Sequence, residues 1–434
     1  MERYSEYCES GTGWLGELPS HWQLRRISAL YDARNEKVSD QDFPPLSVTM
    51  QGIVPQLETA AKTQDGDNRK LVRTGDFVIN SRSDRRGACG ISAYDGSVTL
   101  ISNVLAPKDR NAMSTRYYSY LFRSEGFADE FYRQGTGIVD DLWSTNWTRM
   151  KNILVARPPH AEQERIADYL DTRTAEIDAL VAGCEREVEL LLEYRKAVVS
   201  EVVTKGLDPD APMKDSGVEW IGEIPETWLA APLKHIVVSI ESGTSLDGAS
   251  WPASENEKGV LTLSAVYQSR FDANQNKAIS TELYGRLSCP LKSGTLLISR
   301  CNTSEWVGTA AYVTDAPDNL FLPDKLWQLT FDSDFVCRFI QYSLQANAAR
   351  NYFAALSVGA SSTMQNIAKS DLLATPIAIP NGNGVAEIVA YLDTKTAEID
   401  ALIDAKQTMA DKLREYRRSL ISEAVTGKFK VPGV

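Results

Sequence analysis

Apolar positions follow two different patterns along this 434-residue chain. In residues 20–158 and 228–380 they form short alternating runs, as at 77–79, 98–101, 296–298 and 326–329, among Gly, Pro, Ser, Thr, Asn and aromatic residues. Such period-two runs punctuated by turn formers predict mixed, mainly β domains. Residues 162–204 are Pro-free, Gly-poor and rich in Glu, Leu, Val and Ala, which predicts one long helix introduced by Pro158 and Pro159. Its apolar positions recur every seven residues at Leu170, Ile177, Cys184, Leu191 and Val198. A second set at Thr174, Val181, Val188, Arg195 and Val202 falls four after each, which is an a/d seam. About 43 helical residues at about 1.5 Å each make a rod of roughly 65 Å, long enough to act as a rigid spacer.

The same helix occurs twice. YLDTRTAEIDALV (169–181) returns as YLDTKTAEIDALI (391–403), and EYRKAVVSEVVT (193–204) as EYRRSLISEAVT (415–426), both displaced by 222 residues. Across the 36 positions from 169 to 204, 19 are identical to their partners. The second seam runs through Leu392, Ile399, Lys406, Leu413 and Leu420, with Thr396, Ile403, Ala410, Arg417 and Ala424, so even the seam Arg is kept. Two such helices most simply bury their seams on each other. Upstream, SGTGWLGELPSHW (10–22) matches SGVEWIGEIPETW (216–228) at a displacement of 206, so the second copy carries 16 extra residues between this start and its helix. RTGDFVINSR (73–82) and KSGTLLISR (292–300) match more loosely, each an apolar strand entered through a Gly turn and leaving an Arg at its far end. The order is unit, unit, each with a variable part followed by a constant helix.

Composition fits that organisation. At 43% hydrophobic, 9% aromatic and 24% charged residues the chain is globular, not disordered or collagen-like. Its length predicts two to four domains of roughly 100–200 residues each. No apolar run approaches the roughly 18–20 residues of a membrane span, and MERYSEYCES lacks a secretory pattern, so a cytoplasmic location is expected. The net charge of −12 argues against a uniformly basic nucleic-acid-binding surface. The acid is local, however. Residues 20–158 hold 19 basic and 16 acidic side chains, residues 159–227 hold 7 and 17, and residues 228–380 hold 11 and 13. A near-neutral first variable part with Arg82, Arg85 and Arg86 in one turn permits a phosphate-facing patch, while the acidic helix repels DNA or meets a basic partner.

Catalytic chemistry is not evident. GTGWLG (11–16) fits GxGxxG, but no strand precedes it and Glu219 replaces Gly13 in the second copy, so it reads as a turn used twice. No GxxxxGK[ST] loop occurs. His21, His160 and His235 have no second His or carboxylate at metal-ligand spacing. Asp140 and Asp141, before Trp143, read as solvated turn residues. The six cysteines form no CxxC pair, which leaves neither a zinc framework nor a dense disulfide pattern. Neither a GxSxG nucleophile nor an Asn/Asp-Pro-Pro-aromatic run is present.

Two unlike domains, each followed by the same long helix, with WLGELPSHW and WIGEIPETW starts, a GDFVINSR strand, a PPHAEQERIADYLD helix start and an EYRKAVVSEVVTKGL helix end, form a combination. It resembles the specificity subunit of type I restriction-modification systems over essentially the entire chain. The second helix start, NGNGVAEIVAYLD (381–393), departs by lacking the PP and EQ of the first. The resemblance implies an α+β architecture of two globular mixed α/β, β-rich target recognition domains joined by two long conserved helices in an antiparallel coiled coil, a pseudo-two-fold internal repeat. The segments are then 1–158 (N-terminal segment and first recognition domain), 159–206 (first helix), 207–227 (linker with WIGEIP), 228–380 (second recognition domain) and 381–434 (second helix). It also implies a noncatalytic subunit that reads a bipartite, asymmetric double-stranded DNA site and scaffolds two modification subunits, with restriction subunits as optional further partners and no membrane. S-adenosylmethionine, ATP and magnesium belong to those partners, and this chain binds no cofactor itself.

Candidate base readers follow the two GD-type strands, where Arg and Asn offer bidentate contacts to guanine and adenine edges. They are Arg82, Ser83, Arg85 and Arg86 in the first domain and Arg300, Asn302, Thr303 and Ser304 in the second. A later loop adds Arg133, Gln134, Thr136, Ser144 and Asn146, with Ser361, Ser362, Gln365 and Asn366 as its counterpart. A surface or loop-capping role competes at every one of these positions. Trp14, Trp22, Trp220 and Trp228 could stack on bases, but their repeated Gly-Glu-x-Pro setting favours a clasp between domain and helix. For Arg195 and Arg417, pairing with a flanking acid such as Glu193 or Glu415, or fixing helix register, is favoured over phosphate contact. The rival reading of the whole chain is a stand-alone coiled-coil interaction protein with two variable binding domains.

Overall fold

A computed structural model describes residues 2–56, 66–82, 85–137, 143–361 and 364–434. The chain divides into two compact units, one of residues 1–185 with 407–434, the other of residues 186–406. Each contains a four-stranded antiparallel sheet. In the first unit the strand order is Cys89–Ile91, Phe77–Asn80, Ser102–Pro107, Tyr31–Ala33. In the second it is Ala310–Val313, Thr295–Ser299, Leu326–Phe331, Val237–Ser242, the same order in chain terms. The apolar runs at 77–79, 296–298 and 326–329 lie in these strands. The run at 98–101 does not: Val98 ends the strand Gly96–Val98, and Leu100 and Ile101 sit in a turn with exposed side chains. Three apolar residues among four positions, interrupted by Thr99, do not separate a strand from a tight turn between two strands.

A pair of helices backs each sheet and supplies the α part of the mixed architecture: Thr115–Arg123 with Glu125–Arg133, and Asp334–Gln345 with Asn347–Leu356. They form because their apolar residues recur at helical spacing, with Tyr117, Tyr118, Leu121 and Phe122 all buried on one side of the first. Ser114, Ser124 and Ser333 cap three of the four by accepting a backbone N–H with their hydroxyl oxygens. The first core is aromatic, with Phe77 against Phe122 at 4.4 Å between ring centroids and Phe122 against Phe127 at 4.9 Å.

The long helices run His160–Lys205 and Gly384–Val425. Ile166, Leu170, Ile177, Val181 and Cys184 join the first unit's core together with Ala410, Leu420, Ala424 and Val425, and Leu413 packs against it. In the second unit Val199, Val202 and Val203 share a core with Ile388, Val389 and Leu392, Val198 packs against it, and Ile399 is buried. Leu191 is half-buried, whereas its neighbours Leu190 and Leu192 are exposed.

The seam arginines do not pair with Glu193 or Glu415. In the second unit Arg195 Nε lies 2.9 Å from Asp400, and in the first Arg417 Nε lies 2.8 Å from Asp178. Asp178 and Asp400 are the same residue of the repeated AEIDAL segment, so each copy's Arg meets the other copy's Asp. An acid from the facing helix can approach an inward-tilted guanidinium head-on, whereas Glu193 and Glu415 project outward on the same helix as their Arg. Arg414 with Glu185 in the first unit, and Lys406 with Glu187 in the second, continue the sequence of contacts. Within each unit the partner number falls on one helix as it rises on the other.

Each domain is also bonded to its long helix by a matching network. Tyr120 donates to Asp171 (2.7 Å) beside Thr174, and Arg116 pairs with Glu164, Asp168 and Asp171. In the second unit Tyr342 donates to Asp393 (2.8 Å) beside Thr396, and Arg338 pairs with Asp393. Tyr342, Arg338, Asp393 and Thr396 each stand 222 positions after their counterparts.

Candidate nucleic-acid interface

In the first unit the segment after the strand Phe77–Asn80 meets the late loop. Arg82 bridges to Ser144, and Ser144 and Thr136 exchange two backbone hydrogen bonds of 3.0 Å. Thr145 N–H donates to Ser81 O at 2.9 Å, which holds the two segments side by side. Arg82 is exposed, and its guanidinium has no ion-pair partner among the described residues. Arg85 is exposed as well. Arg86 pairs with Asp129 and lies 5.1 Å above the centre of the Tyr132 ring, so its charge is partly spent within the domain. Tyr132 in turn packs on Trp143, whose indole donates to Tyr132 O at 2.9 Å. A side chain at Gly135 would strike that indole, which explains a glycine in this turn.

Arg133 and Gln134 belong to a different arrangement. Both donate to the buried Glu130, Arg133 through Nε and Nη2 at 2.9 and 2.6 Å and Gln134 at 2.8 Å, and so complete the end of their helix. Asn146 is exposed and caps the short helix Trp147–Met150 with its Oδ1, which leaves its amide N–H2 free. Ser83, Asp140 and Asp141 lie outside the described residues.

The second unit brings its two candidate segments together through a small sheet. Cys301 and Asn302 pair with Asn366 and Gln365, and Ile367 N–H donates to Arg300 O at 2.9 Å. Arg300 sits 5.7 Å above the Trp327 ring, with its Nε buried and unpartnered, and the Thr303 hydroxyl is likewise buried without a partner. Both atoms keep unused hydrogen-bonding capacity next to the paired segments. Asn302 is less suited to reading bases than its residue type suggests: it is buried, and its Oδ1 accepts from Thr303 N–H at 2.9 Å. Ser304 is exposed and Gln365 half-buried, with Gln365 Oε1 accepting from Ser357. Ser361 lies in a strand paired with Met364, and Ser362 falls outside the described residues. Trp306 stacks on Tyr267 at 4.8 Å beside this sheet. Sequence reasoning missed Trp306, Tyr267, Tyr132 and Trp143, because isolated aromatics in loops carry no periodic signal.

Behind each interface stands its Gly turn. Asp76 of the GD pair is fully buried and accepts from Arg34 Nε at 2.7 Å and from Arg73 N–H at 2.9 Å, which raises the Arg34 pKa. Asp95 accepts from Thr74 N–H and from Arg73, and its carboxyl is lowered to about 2, chiefly by the Thr74 N–H. In the second unit Thr295 takes the place of Asp76 and donates to Lys292 O.

The repeated Trp segments are structural. Gly11, Gly16, Gly217 and Gly222 all have positive φ, and both turns close with the same 3.0 Å bond, Ser10 N–H to Gly16 O and Ser216 N–H to Gly222 O. Trp14 packs edge-on to Phe127, and Trp220 stacks on Tyr352. The EQ of the first helix start is a clasp. Glu162, almost fully buried, accepts from Trp22 Nε1 (2.9 Å) and from Tyr4, and contacts His21 Nε2 (2.9 Å). Gln163 accepts from Ser114 N–H and donates to Pro158 O. At the second helix start Gly384 and Val385 stand in these places, and Trp228 instead packs on Phe339 and over Gly206. Among the described residues there is no cluster of three or more His, Cys, Asp or Glu able to hold a metal, and no helix long and apolar enough to cross a membrane.

The chain is therefore a two-unit mixed α/β protein in which two loop segments of each unit converge beside an arginine, Arg82 or Arg300, that has no ion-pair partner among the described residues. In sequence it is similar to specificity subunits of type I restriction enzymes. It is 25% identical to the EcoKI specificity subunit of Escherichia coli K12 over 62% of this chain and 56% of that protein. It is 24% identical to the MjaVIII specificity subunit of Methanocaldococcus jannaschii over 95% and 94%. A third relative, the putative MjaX specificity subunit of the same organism, is matched over 52% of its length, so the chain spans about half the length of two of these relatives. In fold it is similar to a chain in a solved type I restriction-modification system, with a TM-score of 0.66 at 16% identity, covering 94% of this chain and 98% of that one. No protein-family model matches the chain.

Proposed function

We propose that this chain is the DNA-sequence-recognition subunit of a type I restriction-modification complex. Each variable domain reads one half of a bipartite, asymmetric site in double-stranded DNA. The two long helices pair as an antiparallel coiled coil, the scaffold on which two modification subunits, and optionally restriction subunits, assemble. The chain itself is not catalytic, and S-adenosylmethionine, ATP and magnesium act in those partners. A cytoplasmic location fits this role.

The observation that carries the reading is the convergence, in both units, of the post-strand segment and the late loop: Arg82 with Ser144 and Thr136, and Arg300 and Asn302 with Gln365 and Asn366. Loops held on a rigid sheet, with free Arg and hydroxyl groups, suit base-edge and phosphate contacts. Similarity to named specificity subunits over most of the chain supports the same assignment. The reciprocal pairs Arg195–Asp400 and Arg417–Asp178 would fix the register of the coiled coil and hence the gap between half-sites.

The test is to exchange residues 228–380 for a foreign recognition domain and sequence the methylated motif of host DNA. One half of the motif changes while the other half is kept. An unchanged motif refutes the proposal.

A further inference from the structure

We infer that the first domain carries a second base-reading surface, a cleft that takes the major-groove edge of an adenine–thymine pair. This rests on the DNA-reading role proposed above. The cleft, of about 350 Å³, opens beside the convergent loops and is lined by Asn35, Lys70, Ser81, Asn146, Trp147 and Thr148, with Leu100 and Ile101 also on its wall.

Several of its polar groups are unused within the protein. The Asn35 amide, the Ser81 and Thr148 hydroxyls and the Trp147 indole make no hydrogen bond to the described residues, and Asn146 uses only its Oδ1, as a cap. Buried groups around them are satisfied: Asn103 donates to Thr145 O at 2.9 Å and Lys70 Nζ to Ser102 O at 2.8 Å. Unused donors and acceptors are thus gathered in one cleft, where the Asn103 and Lys70 side chains are already bonded within the protein. Lys70 gives the cleft a positive charge.

The apolar wall adds a second requirement. Leu100 and Ile101 are 41% and 40% exposed in the turn that follows the strand Gly96–Val98. Two adjacent large aliphatic side chains left in water beside free amides match the thymine methyl group and the adenine N6/N7 edge, which an Asn amide meets with two hydrogen bonds. Guanine offers N7 and O6, two acceptors, and would leave the Asn carbonyl oxygen unpaired.

The methylated motif of host DNA is the readout, in a host without other modification systems, for the parental chain, for Asn35→Ala and for Leu100→Ser with Ile101→Ser. These side chains are exposed, so a urea midpoint equal to the parental one accompanies each variant. The expected result is loss of preference, by roughly 5- to 150-fold, at one A·T position in one half of the motif, with the other half intact. Parental motifs from both variants, alongside a changed half-motif on exchanging 228–380, overturn the cleft while the DNA-reading role stands. An unchanged motif on that exchange overturns the role itself and the cleft with it.

Discussion

Glu162 offers a measurable test of how the first domain is clasped to its helix. Its carboxylate is 6% exposed as a residue and accepts from the Trp22 indole at 2.9 Å, with Trp22 itself 6% exposed. Glu162→Ala strands that indole N–H in the interior, and an unsatisfied buried donor costs about 1–3 kcal/mol. Loss of the Tyr4 bond adds about 1 kcal/mol, while His21, half-exposed, finds water and adds little. The sum is about 2–4 kcal/mol. A double-mutant cycle with Trp22→Phe isolates the indole–carboxylate bond, expected at about 1.5–3 kcal/mol because the acceptor is charged. Trp228→Phe is the internal control: the residue is equally buried, yet Gly384 stands where a carboxylate would be. Both Phe variants lose the same ring volume, so the difference between them reports the hydrogen bond. Urea unfolding followed by far-UV circular dichroism gives the stabilities, each unit being fitted as its own transition. A coupling below about 0.5 kcal/mol, or equal costs at Trp22 and Trp228, refutes the clasp.

Other expectations follow from the same contacts. Arg195→Asp should lower stability by about 1–2 kcal/mol, discounted for the partial exposure of the pair, and Asp400→Arg in the same chain should recover most of it; thermal melts of the single and the double variant against the parental chain decide. Tyr342→Phe removes one hydrogen bond to Asp393 and should cost about 1–2 kcal/mol by urea titration, as should Tyr120→Phe at the matching position. Asp95 has its folded pKa depressed from 3.8 to about 2, so its stabilising effect is full above about pH 4 and fades as pH falls toward 2. Asp95→Asn should therefore lessen the acid sensitivity of the first unit over that window without changing its slope near neutrality, as read by unfolding at a series of pH values.

The helices were readable because a seam is local: seven-residue spacing and a Pro-Pro start are written in consecutive residues. The partner of the seam Arg was not, since Asp400 lies 205 positions from Arg195 and becomes its neighbour only once two distant segments pack. Nearby acids such as Glu193 fit the sequence equally well. The helix pairs behind the sheets were hidden for another reason. Tyr117, Tyr118, Leu121 and Phe122 are as compatible with a buried strand as with one face of a nine-residue helix until Ser114 and Ser124 are recognised as caps. Among the candidate readers, residue type led to Arg82 and Ser144, which do meet, and also to Arg133, Gln134 and Asn302, whose polar groups are taken up by Glu130 and Thr303. Residue type shows what a side chain can offer; only its neighbours show whether the offer is still open.

That distinction divides the chain into two sets of polar residues. Advancing 222 positions from Arg116, Tyr120, Asp171, Thr174, Asp178 and Arg195 gives Arg338, Tyr342, Asp393, Thr396, Asp400 and Arg417, the same residues repeating the Arg–Asp and Tyr–Asp bonds, while Arg116 also holds Glu164 and Asp168, where the second copy has Ala386 and Ala390. The loops do not repeat in this way: in the aligned strands 73–82 and 292–300 Arg82 answers to Arg300, but Arg85 and Arg86 beyond it answer to Thr303 and Ser304. Among the described residues no hydrogen bond or ion pair joins Arg82, Arg86, Thr136 or Ser144 to Arg116, Tyr120, Asp171, Thr174 or Asp178, although Arg86 lines the same cavity as Arg116, Tyr120 and Asp171. A protein that must change what it reads while keeping what it assembles with needs this separation. On the proposed reading, new DNA specificities would arise by replacing the loop set alone, because the hydrogen bonds and ion pairs that join each domain to its helix are made by other side chains.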